Sequence, residues 1–474
     1  MDEKTMEDMK LPPPLLIRGG EVITATERFT ADVLCEGGVI TAIDKDLYAT
    51  NRLRNYVETI DATGKYVFPG FIDPHVHVYL PFMGTFAKDT YDSASRAALV
   101  GGTTTLIEMC CPSRNDDPIE AFELWSSKAH GVSACDYSFH MGVSRFDDRM
   151  ASQLKEIVNR GVASFKVFLA YKDFFGVKDD ELYSTLKLAA ELGVIVTAHC
   201  ENETLIARRQ RELLAAGRSG PEWHERSRPT SVEAAGVTHL TAFAEATGAA
   251  VYIVHTSCRE AVEAAVAARD RGVRVWLETV SPYLVFDDTY TQRPNFEGAK
   301  YVMSPPIRSA DHQAYLWNAI RTGVISTIAT DHAPFDLEQK RMGAEDFTLI
   351  PNGIPSVENR IDVLYSYGVR EGRIDLHQMV DCGSTQAAKL FGLFPRKGTI
   401  AVGSDADLVI YDPAYRGKIS AATHLMATDY SPMEGWPVYG RAEVVTVRGA
   451  VQVSNGRFVG HPGHGQFLRR RPEY

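Results

Sequence analysis

The chain has 474 residues, 45% hydrophobic and 23% charged, the balance of an ordinary globular protein. Lys and Arg number 50 against 61 Asp and Glu, a formal charge of −11 that argues against a phosphate-backbone partner; the one basic run is Arg469, Arg470 and Arg471. No apolar stretch approaches the ~20 residues a membrane-spanning helix needs, and the acidic, Pro-rich start MDEKTMEDMKLPPPLL lacks the positive start and apolar run of a secretory signal. Neither nucleic acid nor membrane is expected as a partner, and the expected location is the cytoplasm. Seven cysteines (Cys35, Cys110, Cys111, Cys135, Cys200, Cys258, Cys382) are an odd number without a CxxC, and read as reduced, mostly buried thiols.

In chain order, 15–44 (LLIRGGEVITATERFTADVLCEGGVITAID) is a set of short β-runs separated by Gly-Gly and charged turns. From about Val67 to Asp331 the texture changes to eight strand-like runs: VFPGFIDPHVHV (67–78), TTTLIEM (103–109), YSFHMGV (137–143), SFKVFLA (164–170), VIVTAHC (194–200), VYIVHTS (251–257), VRVWLET (273–279) and VISTIATD (324–331). Helical segments separate them. In DDELYSTLKLAAELG, Leu182, Leu186 and Ala189 share a face, acids occupy the first turn and Gly193 is the stop; CREAVEAAVAARDRG repeats the plan with Val262, Val266 and Gly272. Strands alternating with helices predict an α/β protein, a TIM-like (β/α)8 barrel. An open doubly wound sheet is the alternative, but no glycine-rich phosphate fingerprint follows the first strand.

Beyond the barrel, GTIAVGSDADLVIYDP (398–413) and AEVVTVRGAVQVSNGRFVG (442–460) return to the opening texture. Two half-sets of strands at opposite ends can pair only if the barrel is inserted between them. The expected organisation is a small β-sandwich from 12–66 and 395–460, a barrel over 67–394, and a polar tail over 461–474 that is mobile or docked on a neighbouring subunit.

Chemistry in such a barrel gathers at the carboxyl ends of the strands. His75 and His77 close the first strand, and residues i and i+2 share a strand face, so both imidazoles can reach one ion. His199 closes the fifth strand, His255 the sixth and Asp331 the eighth. Five metal-binding side chains at four strand ends point to a metal site. They exceed one tetrahedral zinc and fall short of two. Lys166 lies inside the apolar fourth strand, where burial lowers an ammonium's pKa. Two readings stand: a carbon dioxide adduct, a carbamate whose oxygens each bind one ion, or a buried lysine paired with an acid.

The motifs GFIDPHVHV, SFKVFLAYK, TAHCEN, IVHTSC, MSPPIR, TDHAPF and PNGIP, in that order, resemble the dihydropyrimidinase/hydantoinase branch of the cyclic amidohydrolases over roughly 15–460. The resemblance implies a TIM barrel with a β-sandwich, two divalent metal ions (Zn2+, with Mn2+ or Co2+ as alternatives), carboxylated Lys166 bridging them, and a homo-oligomer, usually a tetramer. It implies that His75, His77 and Asp331 bind the more buried ion and His199 and His255 the other. Tyr171 matches the substrate-oxygen donor, and Ser304 and Asn352 match residues whose main chain holds a cyclic imide. The implied reaction is hydrolysis of 5,6-dihydropyrimidines or 5-substituted hydantoins to N-carbamoyl amino acids by a bridging hydroxide, with Asp331 carrying the proton. Strand parity alone does not turn Tyr171 towards the ligands.

Other residues have plainer readings. His332 supports its neighbour Asp331 from outside, His140 and His224 are structural, and Lys172 is solvated. Leu80, Phe82, Met83 and Phe86 pack under the rim or, the reading preferred here, line a pocket for an apolar substituent. Tyr79 stands where dihydroorotases of the same superfamily carry an arginine for the substrate carboxylate. Allantoinase, a mononuclear deaminase and a non-catalytic scaffold resembling the collapsin response mediator proteins remain as rivals; Lys166 opposes the second and the complete ligand set the third.

Overall fold

The computed structural model describes residues 12–47 and 57–474. Residues 1–11 of the acidic start lie outside that range. Among the described residues five strands come first: β1 (Leu15–Ile23), β2 (Arg28–Glu36), β3 (Val39–Asp44), β4 (Glu58–Asp61) and β5 (Tyr66–Pro69). Eight more pair in parallel, in chain order: β6 (Phe71–Val76), then, after the short hairpin β7 (Pro81–Phe82) and β8 (Thr85–Phe86), β9 (Thr103–Cys110), β10 (Asp136–Gly142), β11 (Ser164–Phe168), β12 (Ile195–His199), β13 (Val251–Ile253), β14 (Val275–Val280) and β15 (Thr327–Ala329). All eight expected runs supply a barrel strand. Every residue of β9, β10, β11 and β12 is buried, as strands covered on both faces require.

The helices between them bury the faces their spacing predicted. Leu182, Leu186 and Ala189 are buried on the helix Asp179–Leu192, which stops where Gly193 takes φ 67°. Helix Arg259–Asp270 differs slightly: its buried stripe is Ala261, Val262, Ala265 and Ala268, and Val266 lies at the edge.

The last strands, β16 (Leu408–Lys418), β17 (Pro437–Val447), β18 (Ala450–Ser454) and β19 (Arg457–Phe458), join β1–β5 in one nine-stranded mixed sheet. The junction is β5, parallel to β1 at Val22↔Val67 and antiparallel to β16 at Phe68↔Val409. This sheet wraps its own core of Ile17, Val33, Val67, Leu408 and Ile410. The expected first barrel strand, 67–78, is therefore two strands: Val67–Pro69 belong to the outer sheet, and the barrel begins at Phe71. Gly70 is the pivot, because a Cβ there would lie 2.1 Å from Thr104 Oγ1.

The tail also corrects expectation by docking on the barrel of its own chain. Leu468 N donates to Tyr137 O at 2.7 Å, Arg470 N to Gly161 O at 2.8 Å and Tyr474 N to Gly193 O at 3.0 Å. Arg470 is buried, donating from Nε to Ser138 Oγ at 2.8 Å and from Nη2 to Ser164 Oγ at 2.9 Å. All seven cysteines are buried and free.

Candidate metal centre and ring pocket

β6 ends by presenting His75 and His77, whose Nε2 atoms each lie 3.2 Å from Asp331 Oδ1. Asp331 follows β15 with φ 50°, a left-handed turn that aims its carboxylate back across the ring. Ligand atoms of these three residues all fall within 4.8 Å of one another. From β12 and the turn after β13 come His199 and His255, with Nδ1 and Nε2 facing each other at 2.9 Å. His255 also sits at positive φ, 40°. The ring centroids of His75 and His255 are 5.3 Å apart, so the two groups form one constellation.

Lys166 lines the same pocket as His77, His199, His255 and Asp331, fully buried. Its Nζ has no hydrogen-bond partner among the described residues, so no acid neutralises it. Burial lowers its pKa towards the free amine. The same burial holds His75 and His255 far below the usual histidine value and lowers His199, so all three are neutral, the form that ligates a cation. Burial acts against the Asp331 carboxylate, yet His75 and His77 beside it keep its pKa below the ordinary value. Buried ring nitrogens without hydrogen-bond partners (His75 Nε2, His255 Nδ1), an amine without one and one carboxylate are an N/O donor set for a divalent ion.

Three buried carboxylates stand behind the ligands, and none was singled out from the sequence. Glu278 Oε1 lies 2.7 Å from His75 Nδ1 and accepts from His255 N at 2.8 Å, while Oε2 accepts from Tyr252 Oη at 2.8 Å. Burial pushes this carboxyl up to about 8 against those donors. Glu201 Oε2 lies 2.8 Å from His199 Nε2 and pairs with Arg228 Nη1 at 2.5 Å; burial opposes the charge, but Arg228 and His199 hold Glu201 at about 2. Asp73 Oδ2 accepts from Thr330 Oγ1 at 2.6 Å, fixing the turn into Asp331. The missed signal is the one that exposed Lys166: a charged residue inside an apolar run, as in VRVWLET.

The other expected site residues line one pocket with the ligands. Tyr171, Ser304, Asn352, Leu80 and Phe82 border it. Tyr171 takes φ 60° three residues past β11, which resolves the parity problem by reversing the chain. Its Oη accepts from Asn352 Nδ2 at 3.5 Å and its ring lies 5.4 Å from that of His199. Burial raises the Tyr171 phenol, keeping its proton in place. Phe82, Met83 and Phe86 belong to the β7–β8 hairpin, which with Tyr171 and Phe174 walls a wider hollow of about 620 Å³ outside the ring pocket.

His140 is structural, with Nδ1 2.6 Å from Ser164 Oγ and Nε2 2.9 Å from Pro74 O. His224 Nε2 lies 2.9 Å from Met303 O and 3.2 Å from Ser304 Oγ. His332 does not touch the Asp331 carboxylate: Nε2 bonds Asp89 Oδ2 at 2.9 Å, and Nδ1 accepts from Ser356 N at 3.1 Å. Its carbonyl instead accepts from His77 N at 2.7 Å. Lys172 is exposed.

With this geometry in hand, comparison with known proteins decides the family. Residues 66–451 match the model of the amidohydrolase family. The chain belongs to that family, in its hydantoinase/dihydropyrimidinase branch. This amidohydrolase is 46% identical over 457 residues to the D-hydantoinase of Geobacillus stearothermophilus, covering 96% of each chain. It is 39% identical over 461 residues to the dihydropyrimidinase of Rattus norvegicus, covering 97% of this chain and 89% of that one. A solved D-hydantoinase (dihydropyrimidinase) from a Thermus species shares 59% identity and superposes with a TM-score of 0.95 over 97% of this chain and all of its own. Among the described residues no helix is long and apolar enough to cross a membrane.

Proposed function

We propose that this amidohydrolase opens the ring of 5,6-dihydropyrimidines and 5-monosubstituted hydantoins, releasing N-carbamoyl amino acids. The observation that carries the reading is fully buried Lys166 with no acid partner, in one pocket with His77, His199, His255 and Asp331. Of the two readings of Lys166, the carbamate accounts for this amine and the ion pair does not. His75, His77 and Asp331 would hold one divalent cation and His199 and His255 a second, with carboxylated Lys166 between them. When bound, the pair, Zn2+ in this reading with Mn2+ or Co2+ as chemical equivalents, supplies Lewis acidity that makes water nucleophilic near neutral pH.

The chain's own residues do the rest. The main chain at Ser304 and Asn352 holds the imide edge of the ring, and the Tyr171 hydroxyl donates to the carbonyl oxygen as charge develops on it. Asp331 accepts the proton from the attacking water and returns it to the ring nitrogen as the C–N bond breaks. Water is thus added across one amide bond. A cytoplasmic tetramer completes the reading.

A substrate panel on metal-quantified protein tests it. Dihydrouracil and phenylhydantoin are expected to be opened with two metals per chain, and Asp331→Asn or Lys166→Ala to cut turnover by about a thousandfold or more. Opening of allantoin alone would move the enzyme to a different cyclic amide; near-normal turnover in either variant would overturn the assignment.

A further inference from the structure

Lys340 is fully buried, and its ammonium meets no carboxylate among the described residues. It donates to three main-chain carbonyls: Val302 at 2.9 Å, Pro351 at 2.6 Å and Gly353 at 2.8 Å. Burial pushes this group's pKa well down, and the three carbonyls, which take all three N–H of an ammonium, are the bonds that oppose that cost, so the position demands a reason. The identity of the acceptors supplies one. Pro351 and Gly353 flank Asn352, and Val302 lies two residues before Ser304. Gly353 N also donates to Val302 O at 3.0 Å, so the two segments meet at the carbonyl the ammonium holds. Gly353 has no room for a side chain, since a Cβ there would fall 2.3 Å from Ala333 O. On the other side, Gln339 Nε2 donates to Thr85 Oγ1 at 2.7 Å and Phe86 O at 2.8 Å, gripping the hairpin at the pocket mouth.

We infer that Lys340 is a positioning residue: its ammonium sets the spacing of the two main-chain segments that grip the substrate ring, and through Gln339 ties that grip to the mouth hairpin. The inference rests on the ring-binding role proposed above for Ser304 and Asn352. A residue needed only for folding would lower the amount of active enzyme. A spacer for the ring-binding carbonyls and amides instead moves KM.

The test uses the metal-loaded full chain. For Lys340→Ala with dihydrouracil, KM is expected to rise about tenfold or more while kcat changes less. Methylammonium, small enough to occupy the carbonyl cage, is expected to restore KM, and tetramethylammonium, which has no N–H, is not. Lys340→Met fills the volume without a donor and is expected to resist rescue. In both variants amide hydrogen exchange should quicken over 302–308 and 350–356, at unchanged metal content. This exchange needs no substrate, so it stands even if the wild type opens no cyclic amide, an outcome that would count against the functional reading alone. Unchanged KM and exchange in Lys340→Met, rescue by both amines alike, or failure of both variants to fold in every salt would overturn the inference.

Discussion

Glu278 accepts from three directions, and the consequence falls on His75. An Oε1 that accepts from Nδ1–H leaves the lone pair of Nε2 pointing at Asp331, where a cation would sit. It also receives His255 N–H, so one side chain sets the orientation of a ligand from each histidine group. In Glu278→Gln one acceptor becomes a donor, and the His75 tautomer is no longer imposed. Metal retention against a competing chelator, measured with turnover, is expected to fall about 10- to 100-fold. Retention at the wild-type level would show that His75 orients itself. Glu278 was visible in the sequence only as an acid in an apolar strand. Its partners lie 203 and 23 residues away, and no local pattern records such distances. His75 and His77 were readable because their spacing alone puts them on one face.

Among the elements, outer sheet and barrel share an apolar cluster that holds Phe68 and Phe71, and charge adds a second contact. Asp136 opens β10 and pairs with Arg448 and with Lys397 Nζ at 2.7 Å; Lys397 also reaches Asp405 at 3.0 Å and Asp407 at 2.6 Å. Three converging carboxylates resemble a cation site, but here the Lys397 ammonium fills the place. Burial opposes the Asp136 charge, yet Lys397 and Arg448 hold its carboxyl at about 2, below the usual 3.8. A carboxyl depressed on folding stabilises the native state above its unfolded pKa and loses that contribution as pH falls towards its folded one. Asp136→Asn, which strands Lys397 and Arg448, is therefore expected to cost about 3–5 kcal/mol at pH 7. In denaturant unfolding the gap to wild type should narrow between pH 4 and pH 2; a gap constant over that range would place the effect elsewhere. The sheet's strands were legible from alternation and turn residues, whereas the ion cluster was not, being drawn from four separated stretches of chain. The same limit hid the split at Gly70: an apolar run does not announce which of two sheets it joins.

For the molecule as a whole, the decisive feature is where the barrel closes. Seven of its joints are parallel strand ladders, but β15 and β6 are linked otherwise. Arg360 Nη1 donates to Ile72 O at 2.7 Å and Ile328 O at 2.9 Å, Thr330 binds Asp73, and Asp331 N donates to His75 O at 3.0 Å. The alternation of strands and helices announced a ring of eight; it said nothing of how first and last would meet. His75 and His77 stand on one side of that gap and Asp331 on the other. A cation bound by all three would act as a clasp, and the free energy of its binding would be spent partly on keeping the hoop shut. Stripping the protein of metal should then do more than abolish turnover: the melting temperature is expected to fall, and deuterium uptake to rise earliest at 71–76 and 327–332. Uptake spread evenly around the hoop would mean the clasp carries no load. In this reading the enzyme's reagent is also its fastener, so a chain short of metal would be inactive and unbuckled at the same place.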